Sequence, residues 1–239
     1  MRWAALALAA VALTGCETSA EKSAKLEKAA LKDLPTHTAN GLKIAHPSAV
    51  LKVTSTAVIH DAEGTAAVVT LRNDSAEAQQ AVPLEITVHG AGGSSLATNT
   101  ATGLAGSLTT VSYIAAHGTT TWIDDQVQVS ETPTSVTAEA GEGKPAHGPA
   151  PTITLRRGAV TDEAGGTEVK GTAVNDSAVK QRELVVYAVA ADAGHVVGAG
   201  RAVLAELPAG ASAPFSILLI GPASSGAEIL LSAPPTTLG

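Results

Sequence analysis

Cysteine occurs once in 239 residues, at Cys16, so no disulfide can close within the chain and stability must come from packing. Aromatic residues make up 2% and charged residues 15% of the sequence. With Trp122, Tyr113, Tyr187 and Phe215 as the aromatics beyond the first 15 residues, there is little to build the exposed platforms that carbohydrate sites use. Basic residues are also few, 15 Lys and Arg against 22 Asp and Glu. That balance offers no positive field for nucleic acid and little attraction to anionic lipid headgroups. Long apolar runs are missing too: the stretch from Ala4 to Leu13 is about half of the ~20 residues a spanning helix needs. Ample aliphatic content with so few charges excludes a disordered chain.

Signatures of chemistry are equally sparse. No Gly-x-Ser-x-Gly occurs, and Ser19-Ala20-Glu21-Lys22 fits Ser-x-x-Lys only as a string beside the N-terminal leader. The glycine pairs at 92–93 and 165–166 follow turn logic, not the strand–glycine–helix logic of phosphate binding. His37, His46, His60, His89, His117, His147 and His195 are scattered, with no pair at i, i+4, and the one methionine is Met1. They read as solvated loop histidines. Asp124-Asp125 after Trp122-Ile123 has the makings of half a calcium site, but a charged strand end explains it better. The expectation is no catalysis, no metal and no cofactor.

What is present begins at the N-terminus. Met1-Arg2-Trp3, the apolar run to Leu13 and then Thr14-Gly15 form a charged segment, a hydrophobic segment and small residues at a cleavage point. Leu13-Thr14-Gly15-Cys16 resembles the lipobox of bacterial lipoproteins. The resemblance implies a diacylglycerol on the Cys16 thiol, removal of residues 1–15 and N-acylation (a palmitate-type anchor) at the outer face of the cytoplasmic membrane. The mature chain would be about 224 residues with a formal charge of about −8, enough for one large or two small domains.

Residues 16–44 read as a lipidated tether with helical character. Leu26, Ala30 and Leu34 recur at i, i+4, i+8, Glu21 precedes Lys25 by four, and Pro35 ends the pattern. A flexible spacer and a docked helix are both compatible with it. From about residue 48 the period changes to two. Leu51–Thr54, Ala66–Leu71, Leu84–Val88 and Val111–Ile114 are strand-like runs, separated by turn clusters at 61–64, 73–75 and 90–93. Strands at this spacing predict an antiparallel β-sandwich over 45–130. Residues 131–152, with Pro133, Pro145, Pro149 and Pro151, read as a linker.

The pattern then repeats over 153–239. Asn175-Asp176-Ser177 matches Asn73-Asp74-Ser75, Leu184–Val189 follows as Leu84–Val88 did, and Pro208-Ala209-Gly210 with Phe215 parallels Ala116-His117-Gly118 with Trp122. Offsets of 102 at the asparagines and 92 at Gly118 and Gly210 place about ten extra residues in the first copy near 103–110. The fold expected is therefore all-β, with two tandem sandwiches related by duplication. Gly171-Thr172-Ala173-Val174-Asn175-Asp176-Ser177, Leu184 to Tyr187, and Pro208-x-Gly210 with Phe215 resemble the FxLYD-type, immunoglobulin-like domains of bacterial envelope lipoproteins. The first copy departs from that pattern at Ala116 and Trp122. The resemblance implies an extracytoplasmic binding or scaffolding module and transfers no catalytic residue.

One face stands out. Leu84, Ile86 and Val88 alternate with Glu85, Thr87 and His89, whereas the second copy is apolar on both sides: Leu184, Val186 and Ala188 on one, Val185, Tyr187 and Val189 on the other. Leu218 and Ile220 extend the second set. These five residues form a candidate interface, to be covered by the first sandwich, by an envelope protein or second copy, or removed by a shifted register. The functional expectation is a membrane-anchored binding or scaffolding lipoprotein. An accessory subunit of an envelope transport or secretion complex, and a metal- or polysaccharide-binding lipoprotein, are the alternatives.

Overall fold

In the computed structural model, residues 17–30, 41–163, 166–224 and 226–239 are described, so Cys16, the leader before it, Leu34 and Pro35 lie outside the described residues. The described residues are mostly β, with one helix and several antiparallel sheets, consistent with β-sandwich domains.

Helix α1 (Ser19–Ala30) starts at a reciprocal cap. Thr18 Oγ1 accepts the Glu21 N–H at 3.2 Å, and Glu21 Oε2 accepts the Thr18 N–H at 2.9 Å. The helix is docked, and not by the stripe the sequence favours. Leu26 is 55% exposed, while Ser19, Ser23 and Glu27 form the buried face. Polar groups win that face because buried charges on the body await them. Ala20 also packs so closely on Gly64 that a Cβ there would lie 2.5 Å from the Ala20 Cβ.

The first β-unit contains β1 (Leu51–Asp61), β2 (Gly64–Asn73), β3 (Gln79–His89), β4 (Ser95–Thr98), β5 (Thr110–Ile114), β6 (Thr119–Asp124), β7 (Ser135–Ala140) and β8 (Lys144–Pro145). One sheet runs β1-β2-β6, and β3 centres the other, pairing with β4, β5, β7 and β8. The expected linker at 131–152 is thus corrected in part: β7 runs along β3 from Leu84↔Ala140 to His89↔Ser135. Its short alternation of Val136, Ala138 and Ala140 with polar residues carries too little hydrophobicity to register as a strand in the sequence.

The second β-unit contains β9 (Ile153–Glu163), β10 (Gly166–Asn175), β11 (Gln181–Asp192), β12 (His195–Leu207), β13 (Ser212–Leu218) and β14 (Glu228–Ser232), in sheets β9-β10-β13 and β12-β11-β14. Its core is its own: Val169, Leu184, Val186, Leu207, Phe215 and Ile217 fill the space between the two sheets.

The ladders of the two units correspond residue by residue. Leu51↔Asn73 matches Ile153↔Asn175, an offset of 102 on both strands. Arg72↔Thr119 matches Val174↔Ser212, so the offset is 93 after the insertion and the first unit carries nine extra residues. The buried Asn73 and Asn175 do the same work. Asn73 Nδ2 donates to Glu77 O and Ala115 O, Asn175 Nδ2 to Val179 O and Pro208 O, and each Oδ1 accepts from the serine two residues on. Ala81 and Glu183, also 102 apart, share a left-handed φ of 49° within their strands.

Two alignments shift as a result. Ala115, not Ala116, stands where Pro208 does, and His117, with φ 52°, takes the place of Gly210, with φ 67°. The partner of Tyr187 in the first unit is Glu85, because β3 and β11 correspond at 102 and not 100.

The units meet face to face. β2 is buried on both sides: Val69 and Leu71 point into the first unit, while Ala66 and Val68 point out of it. That outer face joins Val185, Tyr187, Val189, Ala199, Val203 and Ile220 in one apolar cluster. The apolar outer face of the second unit is therefore covered by the first, in a four-layer stack. Leu218, the fifth residue of the candidate interface, is half-buried beside α1 instead.

Candidate functional site at the seam of the two units

Strand alternation sends the two adjacent aspartates at the end of β6 in opposite directions. Asp125 points outward into the seam between the units. Asp124 points inward, into a cleft of the first unit.

At the seam, Arg201 rises from the middle of β12 with its side chain 1% exposed. Its Nε donates to Asp125 Oδ1 at 3.0 Å, one terminal nitrogen to Ser107 Oγ at 3.0 Å and the other to Glu27 Oε2. The Arg201 backbone N–H and the Ser23 hydroxyl both donate to Asp125 Oδ2, at 3.1 and 2.6 Å. Gln126 Nε2 donates to Glu27, and Ser107 Oγ donates to Glu27 Oε1 at 3.1 Å. One guanidinium thereby ties α1, the first unit and the second unit together. The neighbouring acids hold the Arg201 pKa above its ordinary value against the cost of burial, which by itself lowers it. For Asp125 burial dominates and raises the pKa, opposed by Arg201 and Ser23.

The cleft lies where the first unit departs from the second. β12 is continuous over thirteen residues, but its counterpart is split into β4 and β5 by residues 99–109. Asn99 repairs the broken ladder. Its Oδ1 accepts the Ile86 N–H at 2.9 Å, and its Nδ2 donates to Leu84 O and Leu108 O, both at 2.8 Å. A short 3-10 turn at Gly106–Leu108 follows, held by Trp122 Nε1 donating to Ser107 O at 2.9 Å. The opened edge leaves a cleft of about 340 Å³ between Ile86, Val88, Leu96, Leu104, Leu108 and Val127, with Asp124 and Gln126 at its wall.

Asp124 Oδ1 accepts the Gln126 N–H at 2.9 Å, and its carboxyl is pushed up to about 6, chiefly by burial and further by Asp125 and Glu27, with Arg201 opposing. The sign of the linkage follows. Below the unfolded value near 4 the carboxyl is protonated in both states and contributes nothing. Between there and about 6 the folded state holds the proton more tightly, so stability falls as pH rises. Above that window the cost levels at about 3 kcal/mol. Asp124→Asn is expected to match the parent near pH 4 and to exceed it by up to about 3 kcal/mol at pH 7, measured by denaturant unfolding across that range. Equal pH profiles for the two proteins would refute it.

The expected lipid site, Cys16, lies outside the described residues, as does His37. Among the described residues no cluster of three His, Cys, Asp or Glu side chains could hold a metal ion. His60 Nδ1 meets Thr65 Oγ1 at 2.7 Å and His89 Nε2 meets Thr137 Oγ1 at 2.8 Å, both local strand contacts. Sequence reasoning missed Arg201 altogether. Its signal was an arginine alone within Val196–Leu204, a run otherwise free of charge. Among the described residues no helix is long and apolar enough to cross a membrane. The chain matches no protein-family model and is significantly similar to no curated protein.

Proposed function

We propose that this chain is a lipid-anchored, non-catalytic binding or scaffolding module of the bacterial envelope. It is built from two tandem immunoglobulin-like sandwiches that arose by duplication, the second of FxLYD type and the first a divergent relative. The observation that carries the reading is the sole cysteine at the end of Leu13-Thr14-Gly15-Cys16, followed three residues later by a helix docked on the body. Ser19 N–H donates to Glu63 Oε2 at 2.9 Å and Ala20 N–H to Glu63 O at 3.0 Å. An acylated Cys16 would therefore hold the β1–β2 hairpin at the membrane in a set orientation, with no long spacer between lipid and body. Two or three acyl chains at ~0.8 kcal/mol per buried methylene suffice for a stable anchor. An envelope protein partner would meet surfaces other than the Val185–Tyr187–Val189 face, which the first unit occupies.

Cys16→Ser is expected to move most of the protein from the membrane to the soluble fraction and to remove the lipid mass from its N-terminus. Unchanged fractionation, with no lipid on the parent protein, would end the anchor reading.

A further inference from the structure

We propose that the cleft of the first unit is a binding site for a small aliphatic amine, its alkyl part between the sheets and its ammonium group on Asp124. This goes beyond the anchoring role and stands independently of lipidation.

Three observations converge. First, the cleft is built into the fold and not left over from packing. The nine-residue insertion opens it, and Asn99 keeps the Ile86 N–H and the Leu84 carbonyl hydrogen-bonded across the gap. At about 340 Å³ it falls within the size range of small-molecule sites. Its walls combine the aliphatic side chains of Ile86, Val88, Leu96, Leu104, Leu108 and Val127, which suit an alkyl chain, with the polar Thr98, Asn99, Gln126 and Gln128 beside Asp124.

Second, Asp124 is 5% exposed yet has bonding capacity to spare. Oδ1 takes the Gln126 N–H, and among the described residues Oδ2 receives no hydrogen bond. An open carboxylate oxygen at the cleft wall can accept a charge-assisted hydrogen bond from a ligand donor.

Third, the local charge is unbalanced. Glu27, Asp124 and Asp125 surround one cation, Arg201, whose side-chain nitrogens are engaged by Asp125, Ser107 and Glu27. Among the described residues no Lys, Arg or His lines the cleft. An ammonium ion supplies the missing positive charge, while an anion or a second carboxylate would be repelled. An alcohol of equal length would gain the apolar contacts without the charge term.

The test uses the full chain carrying Cys16→Ser, which keeps lipid out of the sample. n-Hexylamine and n-hexanol are titrated at pH 7.5 by calorimetry. The amine is expected to bind about tenfold or more tightly than the alcohol, the margin of one charge-assisted hydrogen bond. Asp124→Asn is expected to erase that preference while the melting temperature holds or rises, which separates loss of the site from loss of the fold. The parent's preference should also weaken as pH falls through about 6, with Glu27, Asp125 and Arg201 the other charged groups facing Asp124. Leu104→Trp, which adds bulk at the cleft wall, should block both probes. Equal affinity for amine and alcohol, no binding of the amine, an amine preference that survives Asp124→Asn, or binding indifferent to Leu104→Trp would each overturn the proposal.

Discussion

Arg201→Met should lower the free energy of unfolding by about 3–5 kcal/mol, because it strands two buried carboxylates without their counter-ion. Methionine keeps much of the aliphatic stem, so lost packing is a minor part of the effect. What remains is Asp125, fully buried, and Glu27, 7% exposed, with Ser23, Ser107 and Gln126 as uncharged donors. Those hydrogen bonds do not replace a positive charge. The loss should be read in urea as a fall in midpoint at unchanged slope. Adding Glu27→Gln and Asp125→Asn to Arg201→Met should restore most of it, since neutral groups of similar volume remove the desolvation cost together with the attraction. A single-variant loss below about 1 kcal/mol would place the cluster in the range of solvated surface pairs. A triple variant no better than the single one would show that Arg201 acts through packing.

How much of this could be read from the sequence depends on the range of the interaction. The turns at 61–64 and 73–75, and the period-two runs from Leu51 onward, were legible because they are set within a few residues by Asn, Asp and Gly chemistry. Asn73 and Asn175 read in the sequence as turn residues. Their reach across to Ala115 O and Pro208 O was not visible, since it depends on a neighbour more than 30 residues away. The two-sided apolar pattern of β11 was legible, and so was the run Ala66–Leu71 in β2, but only the fold shows that these two strands carry the faces that meet. β7 was missed because Val136, Ala138 and Ala140 form a short, weakly apolar stripe between prolines. In α1 the apparent Leu26–Ala30 stripe misled. A polar face bonded to Asp125 and Arg201 outweighs one exposed leucine, and those partners lie about 100 and 175 residues away. The Asp124–Asp125 pair reads in the sequence as a charged strand end, yet both carboxylates are buried. Its importance comes from alternation, which gives one carboxylate to the seam and the other to the cleft.

Tyr187→Asp is the second large effect expected, because the candidate interface residue Tyr187 lies inside the molecule. Tyr187 is 5% exposed and sits opposite Arg201 in the β11–β12 ladder, on the face covered by the first unit. Burial pushes its phenol pKa well above the ordinary value, with Glu27, Asp125 and Asp124 adding to the push and Arg201 opposing. A carboxylate there joins three others around a guanidinium that is already fully engaged, and it also forfeits the ring's contacts. The expected cost is at least about 3–5 kcal/mol.

The form of the loss matters as much as its size. The second unit keeps a separate core around Leu184, Val186, Phe215 and Ile217 on the opposite face of the same sheet. Undocking should therefore precede unfolding, with one cooperative transition becoming two and protease cutting first near residues 146–152. Tyr187→Phe supplies the control. Its hydroxyl makes no hydrogen bond among the described residues, so its removal should stay within about 0.5 kcal/mol. The difference between the Asp and Phe variants then measures what a charge costs in the seam. If Tyr187→Asp melts like the parent in a single step, the apolar contact does not hold the units together, and the Arg201 cluster alone must do so.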